Sequence, residues 1–364
     1  MNGLKIFRIL GIDVYLHYSW WLIFALLAYS LALDFFPAAY PGLSGVMYWL
    51  MGGLAAVLLF VSVLLHELTH SFVAKARKVR VESITLFFFG GVASIPSEDV
   101  KPATEFWMAL AGPLFSLALA GVLFFVHQLA LPVLLKAVTA YLWQINLVLG
   151  LFNLVPGFPL DGGRVFRALL MFHYKNIRKA TMIASKVGRF FGGLLVFLGF
   201  LSIFGGNFAG LWFVFLGGFL WMIAKSSYEQ VVIKEVLGRI SVLQLMQSSE
   251  SLAPDDTLDD VISLYKKSDQ DGFVVESKGK FVGIVDVARI GNVGTNVVVA
   301  SMMIPAQNIP VLGRKESAYD AFKKLETQGM TVLPVVEKGI VKGIVTRSSV
   351  LRYLTLGMKF GSTS

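Results

Sequence analysis

Leu64-Leu65-His66-Glu67-Leu68-Thr69-His70 closes an apolar run that begins at Val46 and ends at Val73. On a helix, positions i and i+4 share a face. His66 and His70 can therefore offer two imidazole nitrogens to one Zn²⁺, with Glu67 beside them to take a proton from the water it activates. Ionisable groups in a membrane-length helix are costly and mark a functional site by default. The competing reading is a chance match, with the imidazoles merely hydrogen-bonded between helices.

The surrounding composition agrees with a membrane setting. The chain has 364 residues, 56% of them hydrophobic and 15% charged, with a mean hydropathy of +0.70. No ordinary soluble domain has this balance, so an integral membrane protein is expected. The absence of Cys excludes disulfides and Cys-ligated metal, so a zinc site must use His and carboxylate. The formal charge of +9 is read as membrane topology and not as nucleic-acid binding, because the basic residues crowd loops beside apolar segments. The N-terminus lacks a cleavable signal pattern, and its first apolar run is long enough to be retained as a span.

Six spans are expected, at Tyr18–Leu33, Val46–Val73, Thr104–His127, Val133–Val155, Phe190–Phe204 and Phe208–Ala224. Residues 1–16 carry Lys5 and Arg8 among alternating Leu10, Ile12 and Val14, which suits an amphipathic or extended segment at the membrane surface. The run Ile84–Ile95 is too short to span as a helix and contains Gly90-Gly91, so it is read as strand or re-entrant backbone. Its edge can hold an extended substrate segment by strand addition. The alternative is an interfacial hairpin with a packing role.

The fourth span runs into Asn153-Leu154-Val155-Pro156-Gly157-Phe158-Pro159-Leu160-Asp161-Gly162-Gly163. Two prolines and three glycines stop a regular helix there. A lone Asp-Gly is usually a turn, but the histidine pair lacks a third ligand and Asp161 is the best candidate for it. His17, His127 and His173 fall near span ends and are read as interfacial or satisfied histidines. Residues 164–189 form a strongly basic connector. Basic connectors precede the first span and follow the second, fourth and sixth, so both termini are expected in the cytoplasm of a multi-pass cell-membrane protein. His66, His70 and Asp161 then fall on one side at similar depth.

From about Lys225 the composition becomes that of a soluble protein. Residues 226–240 read as a short helical linker. Lys280-Phe281-Val282-Gly283-Ile284-Val285-Asp286 then aligns with Ile340-Val341-Lys342-Gly343-Ile344-Val345-Thr346, and two further segments align at the same offset. This is an internal duplication of a soluble α+β unit.

With these residues in view, the chain resembles the site-2 protease family of intramembrane zinc metalloproteases, joined to a pair of cystathionine-β-synthase (CBS) domains. The likeness rests on His66-Glu67-Leu68-Thr69-His70, Gly90-Gly91, Ala111-Gly112-Pro113-Leu114 and Asn153-Leu154-Val155-Pro156 running to Leu160-Asp161-Gly162. It implies one Zn²⁺ on His66, His70 and Asp161, Glu67 as general base, and Asn153 assisting at the scissile carbonyl. The family often has Asn shortly after its Gly-Pro, where this chain has Ser116. The implied fold is a polytopic α-helical membrane protein with a C-terminal soluble α+β tandem CBS domain: residues 1–225 the protease domain, 226–240 the linker, 241–298 and 299–364 the two repeats. The implied activity is hydrolysis of a peptide bond within or near a transmembrane helix of a membrane-protein substrate, with the lipid bilayer as a partner. CBS domains that bind ATP or AMP carry a hydroxyl residue near phosphate and an Asp on the ribose. Here the first repeat has Asp286 and Arg289 at those positions, and the second has Thr346 and Ser349. Thr346 is thus the cofactor-binding candidate, with a homodimer through the CBS domains, or a purely structural pseudo-dimer, as further implications. The rival readings are a CBS-gated transporter or channel, which does not explain the His-Glu-His spacing, and an inactive zinc-bound scaffold.

Overall fold

The computed structural model describes residues 3–9, 11–87, 90–94, 100–268, 270–291, 297–337 and 340–360. It divides into two compact units, Met1–Tyr228 and Glu229–Ser364.

Among the described residues of the chain, six helices are long and apolar enough to cross a membrane. They are α1 (Ser19–Ala39, with a π-helical turn at Leu31–Phe35), α2 (Gly45–Ala76), α3 (Pro102–His127), α4 (Val133–Asn153), α6 (Ile177–Phe204) and α7 (Gly210–Gly238). The shorter α5 (Asp161–Tyr174) lies between α4 and α6. Ser44 starts α2 by accepting a hydrogen bond from the Met47 amide at 3.3 Å, which satisfies one of the unpaired amides of the first turn. Leu31, Phe36, Met51, Ala55 and Tyr141 form the apolar core where α1, α2 and α4 meet.

The stretch expected to be a basic connector is instead mostly helix. Apart from Lys175, the basic residues of 164–189 lie on α5 and on the first half of α6, which begins at Ile177, well before Phe190. Lys and Arg are good helix formers, and the Asn176 side chain caps α6 by accepting from the Lys179 amide at 2.9 Å. Lys175, in the left-handed conformation (φ +50°), separates the two helices. Likewise α7 does not stop where the composition changes but runs on to Gly238.

Four strands form one sheet in the first unit. β1 (Gly3–Ile9) and β2 (Ile12–His17) make an antiparallel hairpin, β2 pairs in parallel with β3 (Ser83–Phe87), and β3 pairs antiparallel with β4 (Gly90–Ser94). The segment expected to be strand or re-entrant backbone is thus the β3–β4 hairpin. Ile12, Val14 and Leu16 alternate inward along β2, as a half-buried strand requires, and Ile12 and Leu16 pack with Ala74, Ile84 and Met108.

The second unit repeats one motif. Helix α8 (Leu258–Ser268) and strands β5 (Gly272–Ser277) and β6 (Lys280–Asp286) recur as α9 (Ala318–Gln328), β7 (Val332–Glu337) and β8 (Ile340–Thr346), each beginning at the same sequence offset from its counterpart. Helix α10 (Arg347–Phe360) closes the second copy. Val274 and Ile284 of the first copy share one core with Leu333, Val335 and Ile344 of the second. Polar groups stitch the copies as well. Asp286 is 2% exposed, and its carboxylate accepts from the Thr331 amide (2.9 Å), the Thr331 hydroxyl (2.6 Å) and the Ala288 amide (3.2 Å). On the other side the Ser348 hydroxyl donates to Asp271 at 2.7 Å.

Removing the buried acceptor strands three donors. Asp286→Ala is expected to destabilise the second unit by about 2–3 kcal/mol, read as faster amide hydrogen exchange in β5–β8 with that of α2 and α3 unchanged.

Candidate metal centre

Two helices build the site. Along one face α2 presents Ser62, His66 and His70, and along the facing stripe α3 presents Glu105, Met108, Gly112 and Ser116. Both imidazoles are buried, at 4% and 8% exposure. The Nδ1 atoms turn toward α3: that of His66 lies 2.9 Å from Ser116 Oγ, and that of His70 lies 2.6 Å from the Met108 carbonyl. A carbonyl only accepts, so the proton of His70 sits on Nδ1 and Nε2 keeps its lone pair. The two Nε2 atoms consequently converge to 3.1 Å. Asp161 Oδ2 completes a triangle, 3.2 Å from each. Four-coordinate Zn²⁺ with bonds of 2.0–2.1 Å sets its ligand atoms about 3.3 Å apart, so this donor set fits that ion and leaves a fourth position open.

The third donor comes from the broken segment after α4. The chain turns through Val155–Pro159, Phe158-Pro159 being a cis bond, and Asp161 opens α5. Side chains at Gly162 or Gly163 would strike the backbone of residues 154–155 and 157–158, so both glycines are needed for α5 to fold back this tightly.

A second link fixes α5 against α3. Glu105, 6% exposed, accepts from Arg167 Nε at 3.0 Å and from a second nitrogen of the same guanidinium, with Arg164 Nε 3.9 Å away. Arg167 also lies over the Phe158 ring, 5.1 Å from its centroid. Asp161 is therefore held at both ends of the helix stretch that carries it.

Gly112 is required by close approach. A Cβ there would collide with His70 Nε2 and His66 Nε2. Glu67 points the other way, toward β4, and a Cβ on Gly91 would collide with its side chain. A cavity of about 610 Å³ collects these groups: the three donors, Glu67, Gly91 and Asn153 all line it, and Leu216 and Phe219 of α7 form another wall. Asn153, the last residue of α4, has its Nδ2 donating within its own helix, to Leu149 O, 3.0 Å away. Thr346 lies in the second unit, 1% exposed, its hydroxyl 2.9 Å from Ser348 Oγ and accepting from the Ser349 amide at 3.1 Å. The other histidines are engaged elsewhere: His17 with Ser19, His127 with the Lys136 carbonyl, and His173 against the Tyr174 ring.

The sequence reading missed Glu105, at the start of the third expected span, and Arg167, in the presumed connector, because neither carries a sign of a partner on another helix. Ser116 was visible only as a departure from a family pattern. Partners of the non-coordinating imidazole nitrogen typically change metal affinity 10–100-fold. Ser116→Ala is accordingly expected to weaken zinc retention about 10–100-fold at unchanged helix content, measured by metal analysis of protein dialysed against graded chelator.

Comparison with known proteins places the whole chain in a family. The model for peptidase family M50 matches residues 54–135 and 130–195, and the CBS-domain model matches 241–290 and 299–356. A Synechocystis sp. protein provisionally named a zinc metalloprotease is 34% identical over 369 residues, covering 97% of this chain and 96% of the relative. A zinc metalloprotease of Methanocaldococcus jannaschii is 28% identical, covering 97% and 96%. The solved structure of a site-2 protease from that organism is 31% identical, covers 62% of this chain and 95% of its own, and has a TM-score of 0.44. With 34% identity to the Synechocystis protein held over nearly its whole length, the chain belongs to peptidase family M50, the zinc metalloproteases of the site-2 protease type, and carries a CBS pair after its membrane-spanning helices.

Proposed function

We propose that His66, His70 and Asp161 hold one Zn²⁺ and that the chain hydrolyses a peptide bond within or near a transmembrane segment of a membrane-protein substrate. The observation that carries this reading is the convergence of three donor atoms at 3.1–3.2 Å inside a cavity walled by membrane-length helices, with Glu67 on its lining. Zn²⁺ held there supplies Lewis acidity, which makes water a nucleophile near neutral pH and polarises a carbonyl. Glu67 takes a proton from the water as its oxygen attacks the scissile carbonyl carbon. The C–N bond then breaks, and Glu67 returns the proton to the leaving amine nitrogen.

A helical substrate hides its carbonyls in its own hydrogen bonds and must be held extended to be cut. Among the described residues, β4 pairs on one side only, with β3. The substrate is proposed to add along that edge, at Gly90 and Gly91, where the absence of a side chain at Gly91 lets Glu67 lie directly against the strand. Asn153 is proposed to exchange its bond to Leu149 O for the developing oxyanion.

The proposal extends to the CBS pair as a regulatory unit taking ATP or AMP, with Thr346 at the ligand and a second copy of the chain as partner. Because the Thr346 hydroxyl is already engaged by Ser348, the nucleotide has to take over that contact. Both termini are assigned to the cytoplasm on the distribution of basic residues.

Glu67→Gln is expected to retain one zinc per chain and lose cleavage of a model single-pass helix. Full activity in that variant would end the general-base assignment. Asn153→Ala is expected to lower kcat about 10²-fold with zinc retained. Thr346→Val should abolish any change in cleavage rate on adding AMP or ATP, measured on the same substrate.

A further inference from the structure

A second recess lies where the end of α2 meets the β1–β2 turn, and the hydrolytic site makes no use of it. Its volume is about 420 Å³, and Arg8, Gly11, Lys75, Lys78, Arg80 and Glu82 line it. Four cations and one carboxylate line it; Asp13, just outside the lining, lies 3.5 Å from Arg8 and 2.7 Å from Lys5, so the balance around the recess stays cationic.

The backbone under the recess is unusual. Helix α2 ends with the Val79 amide bonded to the Ala74 carbonyl and the Lys78 amide to the Lys75 carbonyl, both at 2.9 Å. This is a Schellman ending, whose left-handed position is normally Gly. Here it is Lys78, at φ +63°. The helix dipole favours cations near this end, but Lys75 and Arg77 already supply them. Lys175 and Lys278 also take left-handed backbone, but among the three it is Lys78 that lines the recess. On the opposite wall, Gly11 takes φ +76°, and a Cβ there would sit 3.4 Å from Lys75 Nζ, so the hairpin turn closes against the lysine.

Depth and rim chemistry identify the ligand. The 32 residues of α2 extend about 48 Å, against about 40–45 Å for a bilayer with its headgroups. The α2 end therefore stands at headgroup level. β1, the sheet edge that leads into the recess, exposes Leu4, Ile6, Phe7 and Ile9 at 38–61%, interleaved with Lys5 and Arg8. A soluble anion has no use for an apolar border, whereas a lipid has both a phosphate and acyl chains. We propose that this recess binds the headgroup of an anionic phospholipid, with its chains along the exposed apolar residues of β1. The bound lipid ties the end of α2, six residues past His70, to the sheet whose far edge passes over Glu67. This proposal stands apart from the hydrolytic reading, since lipid binding is measured without turnover.

The test uses the full chain, purified in detergent and titrated with POPG against POPC, with bound lipid counted by native mass spectrometry and thermal midpoint recorded alongside. Wild type should retain one POPG and gain stability with it. Lys78→Gly/Arg80→Gln should bind POPG about tenfold more weakly or worse. The Lys78→Gly change also relaxes the left-handed turn, so the lipid-free variant should be no less stable than wild type, which separates lost binding from misfolding. Lys179→Gln, a cation outside the recess, should bind POPG as wild type does. Equal POPG binding by the recess variant, an equal loss in Lys179→Gln, or inorganic phosphate in POPC reproducing the POPG effect would each overturn the proposal.

Discussion

Polar groups placed among apolar helices must satisfy one another, because no bulk water is there to do it. Everything about the metal centre follows from that constraint. The imidazoles cannot point into lipid, so they face α3, where Met108 O and Ser116 Oγ take their outer nitrogens. To bring those partners within reach, α3 must press against the rings, and only glycine at 112 permits it. Asp161, arriving from a broken loop, needs its own anchor, and the Glu105–Arg167 pair supplies one. Breaking a buried pair of this kind by removing one partner is strongly destabilising, so the clamp and the site are coupled through α5.

Much of this was readable in advance, and the reasons are specific. His66, Glu67 and His70 are adjacent in sequence, so helical spacing alone puts them together. Apolar length reveals spans without knowledge of packing. Asp161 was reachable because proline and glycine mark a break at the right depth. The rest depends on which helices become neighbours, which one sequence does not encode locally. Glu105 and Arg167 lie on separate helices, and nothing near either names the other. The sheet is similar: β2 and β3 are separated by two spans, and their alternating residues give no sign of parallel pairing. Helix limits slipped for another reason. A change from apolar to basic marks the surface of a bilayer, while α6 and α7 continue through it because Lys, Arg, Glu and Gln sustain a helix as well as Leu does.

The duplicated unit shows how repetition and divergence divide their work. Apolar positions are kept in both copies and merge into one core. The polar positions have drifted apart: Asp286 and Thr346 stand at equivalent places, yet one is fully occupied by Thr331 and the other by Ser348 and Ser349. The equivalent buried positions of the two copies are therefore chemically unequal, one acidic and one hydroxylic.

The parallel pairing of β2 with β3 carries a topological rule. β2 precedes α1 and β3 follows α2, yet their backbones are hydrogen-bonded from Asp13 to Leu86. Both strands must stand on one side of the bilayer, so the chain between them crosses an even number of times. The same parity governs Asp161, which meets His66 and His70 only after α3 and α4 have gone out and back. The cluster of His66, His70 and Asp161 thus closes in two round trips. During synthesis the β1–β2 hairpin must wait at the surface until the first return brings β3 to it. Gain or loss of a single crossing in either excursion would leave its partners stranded on opposite faces of the membrane.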